Sequence, residues 1–160
     1  MSVLVGFAPT PEGRAAVRRA VAECDLRNTE LILVSSERPG GDPVDLDLCQ
    51  REIASACTEL GVRDPGHEVR LFSGSVEPAD DVLTVAEERG AELIVIGLRR
   101  RSPVGKLILG GSTQRILLEA GCPVMAVKGS VRASQTQLPG AGVTAPDSPG
   151  RPSRETRPPS

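Results

Sequence analysis

The 160-residue sequence is nearly devoid of aromatic side chains, with Phe7 and Phe72 but no Trp or Tyr. A core without aromatics has to be filled by Val, Leu, Ile and Ala, which is typical of α/β domains. No apolar run approaches the roughly 18 residues of a membrane-spanning helix, so we expect no membrane segment. The N-terminus lacks the basic and apolar stretches of a signal peptide, which favours a cytoplasmic protein.

The sequence also lacks the residues for several kinds of chemistry. Its net charge is −2, without the basic excess of nucleic-acid-binding proteins. The cysteines have no C-x-x-C spacing and no histidine nearby, so we expect no metal site and four small buried side chains. They are Cys24, Cys49, Cys57 and Cys122. The single histidine, His67, falls on a predicted strand facing solvent, so neither a Ser-His-Asp triad nor another general base is expected.

Strand and helix patterns alternate along the first 128 residues. Short β-branched runs predict strands buried on both faces, and apolar positions at helical spacing predict helices between them. The predicted strands cover residues 3–7, 31–34, 67–72, 93–96 and 122–128. Strict alternation predicts an α/β fold, with a single doubly wound five-stranded parallel sheet between helices.

The segment from residue 94 to residue 128 combines glycines with positive charge. A strand ends at Gly97, a basic loop follows, and Gly110-Gly111 precedes a helix for which Ser112 is the expected N-cap. A helix N-terminus offers unpaired amides and partial positive charge, and glycines let a ligand approach the backbone. The segment therefore indicates anion binding, with a glycine-rich connection and a solvated basic face as the alternative. Its candidate ligand-binding residues are Gly97, Arg99, Arg100, Gly110, Gly111, Ser112 and Thr113.

This segment resembles the universal stress protein (UspA-like) family. Nucleotide-binding members of that family carry Gly, two residues, Gly, nine residues, Gly, and then Ser or Thr, after the fourth strand. Gly97 and Gly110 match the first and third glycines, whereas Arg100 stands at the second and Gly111 at the Ser or Thr. The closing run CPVMAV looks like the family's fifth strand, and the resemblance covers about residues 1–128.

The resemblance implies the adenine-nucleotide alpha-hydrolase-like fold, with strand order 3-2-1-4-5. It implies a homodimer paired through the edge strand from Cys122 to Lys128. It also implies a cleft for ATP or another adenine nucleotide, bordered by Val34. In the turn after the first strand the family usually has an Asp that holds the adenine. This chain has Ala8 there, which offers no side-chain hydrogen bond.

The composition changes after residue 128. Residues 129–160 are rich in Pro, Ser, Gly, Thr and Arg and contain few large aliphatic side chains. Such a segment buries too little apolar surface to offset the entropy of ordering it. We therefore predict a universal stress protein domain over residues 1–128 and a disordered tail over residues 129–160.

Three functions remain open at this point. The first is a universal-stress-type protein with a degenerate nucleotide cleft, acting in stress response by binding rather than turnover. The second is an ATP-binding regulatory switch, in which Arg99, Arg100 and the loop at 110–112 hold the phosphates. The third is a hydrolase or transferase of the same fold class, for which a general base is missing. We favour the first and expect no enzymatic activity, with an adenine nucleotide as the one suggested ligand.

Overall fold

A computed structural model describes residues 1–99 and 109–129, in which strands and helices alternate. The strands are β1 (Ser2–Gly6), β2 (Glu30–Ser36), β3 (His67–Phe72), β4 (Ala91–Leu98) and β5 (Val124–Lys128). The helices are α1 (Pro11–Arg27), α2 (Leu46–Leu60), α3 (Pro78–Glu88) and α4 (Gly111–Glu119). The predicted α/β class is confirmed. Arg100 and the predicted tail beyond Gly129 lie outside the described residues.

The five strands form one parallel sheet in the order β3-β2-β1-β4-β5, as the resemblance implied. β1 is central, and its last residue, Gly6, lies opposite Val34 of β2 and Ile96 of β4. Because β2 and β4 flank β1 on opposite sides, the connections after β1 and β4 diverge at the carboxyl edge of the sheet. This divergence is the switch point at which doubly wound sheets bind ligands.

Two apolar layers hold the helices against the sheet. Successive residues of β1 point to opposite faces, so Val3 and Val5 enter one layer and Leu4 enters the other. The first layer packs under α1 and α2 and includes Val17, and the second packs under α3 and α4 and includes Ile116. All three β1 side chains are fully buried. The aliphatic core expected from the scarcity of aromatics is therefore present on both faces.

Local signals set the ends of α1. Thr10 is the N-cap, its hydroxyl accepts from the Gly13 amide at 3.1 Å, and Pro11 is the first helical residue, as the sequence predicts. Pro there has no amide to leave unpaired. With 17 residues, α1 is the longest described helix. None of the helices within residues 1–99 and 109–129 has the length and apolarity to cross a membrane.

The predicted burial of the cysteines is confirmed for three of the four. Cys24, Cys49 and Cys57 are buried, and all four thiols are free. Burial raises the pKa of Cys24 to about 12 and that of Cys49 to about 11, so both thiols stay protonated and unreactive at neutral pH. The prediction was wrong for Cys122, which is half-buried and precedes β5. β5 begins only at Val124, because the bend at 121–122 and Pro123 come between α4 and the sheet.

One carboxylate on α1, that of Glu23, is buried among arginines. Its side chain is 7% exposed, and Arg27 Nε donates to it at 3.1 Å while Arg19 donates to its other oxygen. Burial raises the pKa of Glu23, but the hydrogen bonds and charges of Arg27 and Arg19 outweigh it and hold the pKa below its ordinary value. The charged carboxylate therefore stabilises the fold.

Glu23→Gln is expected to lower the free energy of unfolding by about 1 kcal/mol at neutral pH, because one charged acceptor is lost. A depressed pKa contributes stability above the unfolded value of about 4.3, and the contribution disappears as pH falls through the folded value. Urea titrations of both proteins at several pH values measure this. The difference should shrink below about pH 4. Glu59→Gln, at an exposed pair with Arg18, is the control and should change little. Equal effects of the two changes would contradict the assignment.

Candidate functional site

The candidate site lies at the carboxyl edge of the sheet, where the loop after β1 meets the end of β4. Gly97 of β4 packs against the start of α1. A Cβ on residue 97 would lie 2.6 Å from the Glu12 carbonyl oxygen and 2.7 Å from its carbonyl carbon. Both are backbone atoms, so α1 would have to move to admit a side chain. The first glycine of the motif is therefore required for the packing of β4 on α1.

The turn after β1 is equally tight. A Cβ on Gly13 would lie 1.9 Å from the Ala8 carbonyl oxygen. The same oxygen accepts from the Thr10 amide at 2.7 Å. The backbone of Ala8 thus folds over the first turn of α1, and its methyl group is half-exposed beside the cleft. A methyl group offers no hydrogen bond to a base.

α4 begins at Gly111, with Gly110 as its N-cap at φ −64 and ψ 157. The prediction of Ser112 as the N-cap is wrong, since Ser112 is the second residue of the helix. Its hydroxyl is bonded to another helix instead. The first bond of α4 runs from the Gln114 amide to the Gly110 carbonyl at 2.9 Å. The amides of residues 111–113 therefore lie at the positive end of the helix, with no acceptor among the described residues.

The two glycines at the start of α4 differ from Gly97 in how closely other described atoms approach them. A Cβ on Gly110 or Gly111 would meet no described atom within 4 Å, and neither residue has a left-handed φ. Neither packing against the described residues nor backbone conformation therefore requires glycine at these two positions. Within the part of the chain that the structure describes, the missing side chains leave the amides of the first turn accessible.

A polar chain crosses the start of α4. Ser112 Oγ donates to Glu77 Oε1 at 2.9 Å and accepts from Arg38 Nη2 at 3.2 Å. Glu77 is the N-cap of α3, where its carboxylate also accepts from the Ala79 amide at 3.4 Å. Ser112 thus has its hydroxyl occupied by two side chains from other elements.

A second polar contact holds α3 to the ends of β2 and β3. Asp81 Oδ2 accepts from Ser36 Oγ at 2.7 Å and from Ser75 Oγ at 2.6 Å. The sequence suggests a solvated helix face for Asp80 and Asp81. That reading is wrong for Asp81, which is half-buried. Asp80 instead pairs with Arg115 of α4 at 2.6 Å. The Asp80–Arg115 pair thus joins α4 to α3, while Asp81 joins α3 to the ends of β2 and β3.

The remaining candidate residues are less closely grouped. Val34 packs in the apolar layer under α3 with 1% exposure, and its carbonyl accepts from the Phe7 amide at 2.8 Å. Arg99 follows β4 at the carboxyl edge and is exposed, and Thr113 is half-exposed in the first turn of α4. The structure thus brings Ala8 and Gly97 to the start of α1 and the 110–113 residues to the start of α4. Sequence reasoning missed Glu77 and Arg38, which had no motif to mark them.

The rest of the described chain offers little for catalysis. Among residues 1–99 and 109–129 there is no group of His, Cys, Asp and Glu that could hold a metal ion. His67 Nδ1 lies 2.9 Å from Asp64 Oδ2 at the amino end of β3, and the hydrogen bond from His67 lowers the pKa of Asp64. An open cavity of about 570 Å³ also lies at this amino edge of the sheet, opposite the candidate site. Its walls mix charges of both signs, including Arg63 and Glu92.

Comparison with known proteins identifies the family to which this chain is similar. The universal stress protein family model matches residues 1–128. A universal stress protein from Mycolicibacterium smegmatis is 38% identical over 128 residues, which cover 79% of this chain and 96% of that protein. The solved universal stress protein of Archaeoglobus fulgidus has a TM-score of 0.61 and 32% identity, over 80% of this chain and 98% of that one.

A further Archaeoglobus fulgidus structure shows a universal stress protein in complex with dAMP. It has a TM-score of 0.57 and 25% identity, and the match covers 80% of this chain and 98% of that one. The five-stranded order, the glycine at the end of β4 and the family match over residues 1–128 all agree. The chain belongs to the universal stress protein family.

Proposed function

We propose that this protein is a universal-stress-type binding protein whose cleft holds the phosphate of an adenine nucleotide at the start of α4. The observation that carries the proposal is the contrast between its glycines. Gly97 has a packing reason, since a side chain would strike Glu12, whereas Gly110 and Gly111 have none among the described residues. Two glycines beside three amides without described acceptors are what a phosphate approaching a helix N-terminus needs. The dAMP complex of the Archaeoglobus fulgidus relative supports an adenine nucleotide as the ligand.

The proposed cleft is degenerate at its base end. Ala8 replaces the Asp that usually holds the adenine in the family, and a buried, packed Val34 supplies only apolar contact. Without a side-chain hydrogen bond to the base, affinity comes from the phosphate end and discrimination between bases is poor. A site that reads its ligand through hydrogen bonds rejects analogues far more strongly.

The proposed mode of action is binding rather than turnover. A hydrolase would need a base or nucleophile beside the phosphate, and the hydroxyl of Ser112 in the first turn of α4 is occupied by Glu77 and Arg38. The only histidine lies at the opposite edge of the sheet. Incubation with ATP and magnesium should therefore release no product beyond the uncatalysed rate.

An ATP-binding regulatory switch is the second candidate, because exposed Arg99 follows β4 at the same edge and offers a fork of donors to phosphate oxygens. Calorimetric titration with AMP and GMP separates the two functions. A degenerate cleft binds both with dissociation constants within about threefold, less than 1 kcal/mol apart. Adenine preference above about tenfold would favour the switch, and no heat with any nucleotide at millimolar concentration would contradict both.

We further propose a homodimer through the outer edge of β5. The Ile94 amide donates to the Pro123 carbonyl at 3.0 Å, so residue 123 faces β4. Main-chain groups alternate sides along a strand, which directs those of Val124 and Ala126 away from β4. No described strand pairs with them. An unpaired edge of this kind favours two-fold pairing with a second copy.

Ala126→Pro is expected to dissociate the dimer while leaving the sheet intact, because it removes a donor that points outward. Analytical ultracentrifugation at micromolar concentration should show a dimer for the wild type and a monomer for the variant. Ala126→Ser, which keeps the donor, is the control and should remain dimeric. A wild-type monomer would contradict the proposal.

A further inference from the structure

We infer that Glu77 makes the cleft select a nucleoside monophosphate over the corresponding triphosphate. The inference rests on the proposed function, since it concerns the same site at the start of α4. It names the length of the phosphate chain as the property that the cleft discriminates. Three observations on the described residues and one estimate of magnitude lead to it.

The first observation is the position of a negative charge. Glu77 Oε1 lies 2.9 Å from Ser112 Oγ, and Ser112 is the second residue of α4. The Glu77 carboxylate therefore contacts the side chain of a residue whose own amide is one of those that would hold a phosphate. The carboxylate is held in place by two hydrogen bonds, because it also accepts from the Ala79 amide in its own helix.

The second observation is that the Ser112 hydroxyl has no capacity left for a phosphate. It donates its one proton to Glu77 and accepts from Arg38 Nη2. A hydroxyl carries a single donor, so a phosphate oxygen binds the backbone amides of the first turn without help from the Ser112 side chain.

The third observation concerns the other charges around Glu77. Asp80 is neutralised by Arg115 at 2.6 Å, and Asp81 accepts from two serines. Arg38 is the one described cation bonded to Ser112, and it contacts the hydroxyl rather than the Glu77 carboxylate. Among the described residues, no cation is therefore paired with the Glu77 carboxylate beside the start of α4.

The fourth step is the magnitude of the repulsion. A monophosphate carries about two negative charges and a triphosphate about four, and each extra charge close to Glu77 adds repulsion in a partly exposed site. With the screening of bulk water, a unit charge about 4 Å from the carboxylate is repelled by about 1 kcal/mol, so each extra charge weakens binding by roughly three- to tenfold. The wild-type protein should thus bind AMP on the order of tenfold or more tightly than ATP in magnesium-free buffer.

Glu77→Gln tests the inference, because the amide keeps an acceptor for Ser112 and Ala79 and removes only the charge. Calorimetric titration with AMP and with ATP, in magnesium-free buffer, gives the ratio of the two dissociation constants for each protein. We expect the preference for AMP to fall by about tenfold or more in the variant, mainly through tighter ATP binding. Circular dichroism melting checks that the variant is folded.

Glu87→Gln is the matched control. It makes the same chemical change on the same helix, ten residues from Glu77 and therefore about 15 Å along the axis, beyond the screening length of physiological salt. Its ratio should equal that of the wild type. An unchanged ratio in Glu77→Gln, with both ligands binding, would overturn this inference alone. If neither AMP nor ATP bound to any of the three proteins, the proposed function and the inference would both be overturned.

Discussion

Gly97→Ala is expected to lower the free energy of unfolding by about 3 kcal/mol or more, at the upper end of the cost of overpacking. The added Cβ would lie 2.6 Å from the Glu12 carbonyl oxygen, 2.7 Å from the carbonyl carbon and 2.9 Å from the Glu12 Cβ. Two of these atoms belong to the backbone of α1, so relief requires the helix to shift away from β4. In a thermal melt followed by circular dichroism, the loss corresponds to roughly 10 °C.

Gly111→Ala is the control for this change. A Cβ on residue 111 meets no described atom within 4 Å, and alanine has the higher helix propensity at the start of α4. Its melting temperature should equal or slightly exceed that of the wild type. If Gly97→Ala melted no lower than Gly111→Ala, the packing account of the first motif glycine would be wrong.

Gly111→Val is expected to abolish nucleotide binding without unfolding the protein. The branched side chain would fill the open space before the amides of residues 111–113. In a helix, valine costs no more than glycine, so the free energy of unfolding should stay within about 0.5 kcal/mol of wild type. Titration with AMP should show at least about a tenfold loss of affinity, or more than 1.4 kcal/mol.

Gly121→Val is the matched control for the binding experiment. Residue 121 is an exposed glycine just beyond the other end of α4, and a Cβ there also meets no described atom within 4 Å. The same side chain is thus introduced into equally open space, away from the positive end of the helix. Full AMP affinity in Gly121→Val and in Gly111→Val alike would place the ligand elsewhere.

The fold was largely predictable from the sequence because its determinants are local. The Thr10-Pro11 pair sets the start of α1, and the aliphatic runs of β1 and β4 have the length and composition of strands buried on both faces. Strand order came from the family resemblance. Neither source revealed the role of Gly97, whose reason lies in the backbone of Glu12, distant in the chain.

The candidate site was predictable only in part, because only some of its determinants are local in the sequence. Gly110 and Gly111 are adjacent in sequence and their pattern is visible there. Glu77 and Arg38 reach Ser112 from positions 35 and 74 residues away, and single glutamates and arginines carry no pattern. The N-cap at Ser112 was predicted from its own preference, which the carboxylate of Glu77 outweighs in the folded protein. Long-range polar contacts of this kind depend on the tertiary structure.

Amide chemical shifts in a nitrogen–proton correlation spectrum, followed during titration with AMP, show where on the protein the nucleotide phosphate binds. We expect the largest shifts on Gly111, Ser112 and Thr113, because their amides would donate to the phosphate. Smaller shifts are expected at Ala8, which borders the base end without bonding to it. Large shifts confined to the opposite edge of the sheet, around Arg63 and Asp64, or no shifts at saturating AMP, would contradict the proposed site.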